Sequence, residues 1–103
     1  MTIRNRLEAD LKEALRTGDA LRASTLRLAR AALRNAEMQR GRTLTDGESA
    51  TVLEDEVRRR REALAQYQRA DRSDLVQDEQ LELAILLAYV PRLAAGGRSK
   101  TEL

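Results

Sequence analysis

Helix punctuation is what most constrains this chain. Glycine occurs at position 18 and then not again until 41, and the single proline is Pro91. Thr2 is a good N-cap and Gly18 a good C′ residue, which predicts a first helix between them. Ile3, Leu7, Leu11, Ala14 and Leu15 give it an apolar stripe at three- and four-residue spacing. A second helix runs from Asp19 to about Gly41, with a stripe of Leu21, Thr25, Leu28, Ala29, Ala32 and Ala36. The small residues in that stripe allow close helix approach. Thr45 followed three residues later by Glu48 is a capping box, and it opens a third helix running to about Ala70. There Val52, Leu53, Val57, Leu64 and Tyr67 are expected to face inward. A fourth helix follows Ser73 and stops at Val90, because Pro91 removes a backbone donor and clashes with the preceding turn. Its inward residues are Leu75, Leu81, Ile85, Leu86 and Tyr89.

No stretch alternates with period two over strand length, so no sheet is expected. Four helices in 103 residues predict one all-α domain, an antiparallel four-helix bundle-like fold. Composition agrees. Tyr67 and Tyr89 are the only aromatics, so Leu, Ile, Val and Ala must build the core. That suits helix packing better than a sandwich, which favours β-branched and aromatic residues.

The chain has neither cysteine nor histidine. Disulfides, thiolate nucleophiles and Cys-based metal sites are excluded, and so is the commonest general base. No run approaches the roughly 20 apolar residues that cross a bilayer. The start, MTIRNRLEAD, lacks a signal-type apolar region. The expectation is a soluble, cytoplasmic protein with no membrane, metal or cofactor partner.

Charge is uneven. Residues 1–42 carry a net +5 and residues 43–103 a net −3. Arg58, Arg59, Arg60 and Arg61 are consecutive, but helical neighbours turn by about 100° and point in four directions. Arg60 falls in the apolar stripe between Val57 and Leu64, where a charge needs a partner. An antiparallel hairpin with its turn near Asp71 and Arg72 sets position 60 level with about position 83. The expected structural ion pair is Arg60–Glu82, with Glu56 or Asp78 as second acceptor; the alternative is that Arg60 lines a ligand site. Arg27, Arg30 and Arg34 recur at helical spacing and share one face of the second helix. That face, expected opposite the apolar stripe, is the candidate nucleic-acid-binding surface; the alternative is an ordinary solvated face.

No phosphate-binding loop, zinc pattern or nucleophile elbow is present. Glu54, Asp55 and Glu56 are adjacent on a helix and should point apart. Lys12 and Ser24 are the ingredients of a Ser–Lys site, but nothing in the sequence brings them together. No catalytic residue is assigned.

Four stretches together carry a resemblance. They are RTGDALRASTLRLARAALRNAE (16–37), LTDGE (44–48), VRRRREALAQYQRADRSDL (57–75) and ELAILLAYVP (82–91). In this order and spacing the chain resembles the YqeY-like proteins of the GatB/YqeY group over about residues 3–91. One departure is Asp71, where the family usually has glycine. The resemblance implies that residues 1–91 are the family's amino-terminal helical domain. Residues 92–103, with Gly96-Gly97, would be a linker or the truncated start of a second helical subdomain into which this sequence does not continue. That second part is similar to the tail of the B subunit of the glutamine-dependent aspartyl/glutamyl-tRNA amidotransferase. The resemblance therefore implies a carbon–nitrogen ligase label with glutamine as amide donor, and tRNA or an amidotransferase subunit as partner. The alternative is a helical protein–protein interaction or homodimerisation module that binds no RNA.

Overall fold

The computed structural model describes residues 1–93. The expected linker at Gly96-Gly97 and the segment Ser99–Leu103 lie outside the described residues. Four long helices form: α1 (Ile3–Thr17), α2 (Ala20–Arg40), α3 (Asp46–Arg69) and α4 (Ser73–Leu87). Among the described residues there is no strand. The fold is all-α and bundle-like, assembled from an α1–α2 hairpin and an α3–α4 hairpin.

The caps explain the boundaries. Thr2 Oγ1 accepts from the Asn5 N–H at 3.1 Å and starts α1. Gly18, at φ 74°, ends it, because the Asp19 N–H returns to the Ala14 carbonyl at 2.9 Å. That left-handed backbone position costs a residue with a Cβ more than it costs glycine. Asp19 then caps α2 by accepting from the Arg22 N–H at 3.2 Å. One residue thus closes one helix and opens the next, which folds α1 back along α2.

The α3 start carries the full capping box. Thr45 Oγ1 accepts from the Glu48 N–H, and Glu48 Oε1 accepts from the Thr45 N–H. Arg42 adds a two-pronged contact to the Glu48 carboxylate at 2.8 and 2.7 Å. The Arg42 guanidinium, above all, and the Thr45 N–H hold the Glu48 carboxyl well below the usual carboxylate range. The sign follows. Stability from this group is present above the ordinary glutamate pKa of about 4.3 and is lost as pH falls through the depressed folded value. The thermal midpoint of Glu48→Gln should therefore fall less steeply than that of the native chain between pH 5 and pH 2, as followed by circular dichroism.

The α3–α4 turn repeats the Gly18 geometry without glycine. The Arg72 N–H bonds the Tyr67 carbonyl at 3.0 Å and the Asp71 N–H bonds the Gln68 carbonyl at 3.2 Å. Asp71 sits between them at φ 56°. Asp71→Gly relieves this left-handed strain and should raise stability by about 0.5–1 kcal/mol, net of the greater freedom of the unfolded chain. Chemical denaturation with an unchanged slope would measure the gain.

The centre of the fold is α2, which packs on α1, α3 and α4. Leu7, Leu26, Leu33, Leu53 and Val57 are completely buried, joined by Leu11, Ala14, Ala23, Ala29, Ile85, Leu86, Tyr89 and Val90. Each large aliphatic side chain of this kind contributes about 1.5–3 kcal/mol by leaving water. Three expected stripes are corrected. The buried face of α2 is Ala23, Thr25, Leu26, Ala29 and Leu33, while Leu28 stays 49% exposed. The reason is that α2 has neighbours on more than one side, so its buried arc is broad and turned toward α1. Leu15 and Leu81, expected inside, are about half exposed.

The fourth helix also stops earlier than expected, at Leu87. The chain tightens there, with the Tyr89 N–H on the Leu86 carbonyl at 3.0 Å and the Val90 N–H on the Leu87 carbonyl at 3.1 Å. Tyr89 drives this turn inward. Its ring lies 4.4 Å below the Arg6 guanidinium and its hydroxyl donates to Asp10. Arg6 Nη2 also donates to the Ala88 carbonyl at 2.9 Å, satisfying a group that the helix end leaves open. Burial, with the Asp10 carboxylate second, pushes the Tyr89 hydroxyl pKa well up. Pro91 opens a short helical turn over residues 91–93, a position where its missing N–H costs nothing.

Candidate functional site

The arginine ridge of α2 lies beside α1 rather than opposite the packed face. Arg30 stands in the α1–α2 seam, where its Nη1 meets Glu8 Oε2 at 3.5 Å. This corrects the expected place of the face opposite the apolar stripe, and the wide buried arc of α2 is the cause. Arg27 and Arg34 are exposed, one turn to either side, and neither makes an ion pair or side-chain hydrogen bond among the described residues. Arg34 borders a shallow hollow of about 430 Å³ with Glu37, Met38, Arg42 and Thr43. Arg27 borders another, of about 260 Å³, with Leu15, Gly18 and Ala23.

Most other cations of the basic half are neutralised nearby. Arg4 meets Glu37 at 2.9 Å, Arg16 meets Glu13, Arg22 meets Asp19 at 3.2 Å, and Arg40 joins Arg42 on Glu48. Lys12 is exposed and, among the described residues, unpaired. It lies one turn beyond Glu8 on α1, and the two helices run antiparallel. Lys12 and Arg27 therefore sit on the same side of the Glu8–Arg30 bridge. Sequence reasoning did not place Lys12 with the arginines, because one-helix spacing says nothing about the neighbouring helix. The Glu8 contact to Arg30 was the signal that only packing could supply.

The four consecutive arginines separate as helical geometry requires. Arg58 pairs with Asp55 at 3.0 Å and Arg59 with Glu56 at 3.0 Å. Glu54 turns the other way, buried, and accepts from Arg92 Nη2 at 2.7 Å. Arg60 lies half-buried at the α3–α4 contact. Its Nη1 is 3.4 Å from Glu79 Oε1 and 4.0 Å from Glu82 Oε2, and its Nη2 is 4.0 Å from Glu56 Oε2. The nearest partner is thus Glu79, with Glu82 and Glu56 in the outer positions. Asp78 is exposed and makes no contact with Arg60. The correction has a simple cause. Glu79 is one residue further along α4, and the 100° turn carries it, rather than Asp78, into the α3 contact. Burial, and then the neighbouring Glu79, raise the Glu82 carboxyl pKa above the ordinary glutamate value, against the pull of Arg60.

Chemically, the ridge offers fixed positive charge with apolar ground beside it, suited to phosphates or carboxylates. Ser24 Oγ donates to the Leu21 carbonyl of its own helix. Among the described residues no group of three or more His, Cys, Asp or Glu is arranged to hold a metal ion, and no helix is long and apolar enough to cross a membrane.

Two helical hairpins, with α2 as the central helix and arginines along the α1–α2 seam, define a small all-helical module. The family model described as Yqey-like protein matches residues 4–97, and the chain belongs to that family. Among curated proteins it is 28% identical over 97 residues to "Altered inheritance of mitochondria protein 41, mitochondrial" of Pyrenophora tritici-repentis, covering 94% of this chain and 54% of that one. It is 33% identical over 88 residues to the protein of the same name from Eremothecium gossypii, covering 84% of this chain and 48% of that one. The chain spans about half the length of the curated relatives it matches. Both relatives are named as mitochondrial proteins, which overturns the cytoplasmic location expected from the sequence.

Proposed function

We propose that this chain is a non-catalytic helical accessory module related to the glutamine-dependent tRNA amidotransferases, and that it holds tRNA along the α1–α2 seam. The observation carrying this reading is that Arg27 and Arg34 are exposed and unpaired among the described residues, when most arginines of the basic half are neutralised by a carboxylate. Unspent guanidinium groups on one ridge are available to phosphates, and Lys12 extends the row. Residues 1–91 form the binding domain in this reading, and residues 92–103 lead toward a further subdomain.

Phosphate contacts release counterions, so binding should weaken steeply with salt. Titrating the chain with bulk tRNA and following anisotropy at low and at physiological salt tests the proposal. Each arginine replaced by glutamine should lower the salt slope by about one contact. Arg30→Gln should have the smaller effect, because Glu8 already engages Arg30. Affinity unchanged in the Arg27→Gln/Arg34→Gln double variant would remove this ridge from consideration. A protein-interaction module is the second reading, favoured by the half-exposed Leu28 and Leu81. It would be supported by self-association in sedimentation together with absence of tRNA binding.

A further inference from the structure

Three carboxylates converge on one guanidinium where the α3–α4 hairpin leaves the core. Glu79, Glu82 and Glu56 stand 3.4, 4.0 and 4.0 Å from Arg60. Glu79 is 8% exposed, and its Oε2 is buried without a hydrogen-bond partner. Arg59 also meets Glu56 at 3.0 Å, so Glu79 and Glu82 are left to share Arg60, and two negative charges against one positive, mostly out of water, cannot both persist cheaply. Glu79 and Glu82 are one turn apart on the same face of α4, the spacing at which two carboxyl groups meet. We propose that Glu82 holds a proton and donates it to Glu79 while the hairpin is closed, and that loss of this proton loosens the outer half of the hairpin.

The cluster divides two unequal regions. On the core side, Val57, Ile85 and Leu86 are buried. On the outer side, Leu64, Tyr67, Leu75 and Val76 are only half-buried between two helices. A proton placed on Glu82 turns two repelling carboxylates into a donor–acceptor pair and gives the orphaned Glu79 oxygen its partner. The charges reaching Glu82 are Glu79 and Asp78 on its own helix and Arg60 on α3, with Glu56 beyond that arginine. On the α2 side, the charged groups bordering the groove with α4 are Arg22 and Asp19, which pair with each other. Among the described residues, Arg60 is the cation that pairs with Glu79 and Glu82. Deprotonation leaves Glu79 and Glu82 both charged against the one guanidinium of Arg60, and the weakly packed outer half is the part able to yield. Its apolar residues then become accessible, which makes the hairpin a pH-set gate on an apolar surface.

The sign is fixed by linkage. A carboxyl whose pKa is raised by closing stabilises the closed state below its open-state value, about 4.3, and that stability is lost as pH rises toward the raised value. Amide hydrogen exchange of the full chain, followed by NMR from pH 4.5 to 8 and corrected for intrinsic rates, tests this. Outer-hairpin amides should lose protection by up to about tenfold per pH unit relative to α1–α2 amides within that window, then level off. Glu82→Gln keeps the donor without the charge and should flatten the dependence. Carbon-13 titration of the glutamate side chains supplies a check independent of any variant, with Glu82 titrating above the ordinary range. Glu82 titrating in the ordinary range would overturn the retained proton. A raised carboxyl with pH-independent protection would overturn the gate.

Discussion

Leu26→Ala should cost about 3–5 kcal/mol, while Leu28→Ala two positions away should cost less than about 1 kcal/mol. Leu26 is 0% exposed in α2, the helix that packs on α1, α3 and α4, so truncation leaves a cavity that close-packed neighbours cannot fill. Leu28 faces largely into solvent, and its truncation removes little buried area. The two substitutions have the same chemistry and similar helix propensity, so the difference reports burial alone. Urea unfolding monitored at 222 nm measures it. A larger cost at Leu28 than at Leu26 would place the buried arc of α2 where the sequence stripe alone put it.

Arg60→Ala should cost about 3 kcal/mol near neutral pH, a fall of roughly 12–24 °C in midpoint for a domain of this size. Removing the guanidinium strands Glu79 and Glu82, while Glu56 keeps Arg59 at 3.0 Å. The penalty is mostly that of uncompensated charge, so it should shrink toward pH 5 as Glu82, whose carboxyl is already raised, protonates. Arg60→Met separates the two contributions, since it keeps most of the apolar stem and loses only the charge. Similar losses for the Met and Ala variants would assign the role of Arg60 to charge. A much smaller loss for Met would assign it to packing.

The helix boundaries were legible because caps are local. Thr2, Gly18, Asp19, Thr45 and Glu48 each act on backbone groups within a few residues, and their chemistry shows in the letters. The exception was the end of α4. Tyr89 turns inward to reach Asp10 and Arg6 on α1, a contact spanning most of the chain, and no local signal announces it. The candidate ridge was half legible. Spacing put Arg27, Arg30 and Arg34 on one strip, but the strip's surroundings depended on α1, which supplies Glu8 and brings Lys12 alongside. The Arg60 cluster was legible as a need, because a charge in an apolar stripe demands a partner. The choice of Glu79 over the expected Glu82, about one turn away on the same face, turned on the register of α4 against α3.

What the sequence determined by itself was the number of helices, where most of them start and stop, and the pairing of neighbours into hairpins, since each rests on contacts within a few residues or across a short turn. What only the tertiary structure decided was which arc of α2 is buried, which carboxylate meets Arg60, and which cations remain free. Those depend on how several helices share one central neighbour, and a rotation of about 100° along a helix changes every partner a side chain can reach.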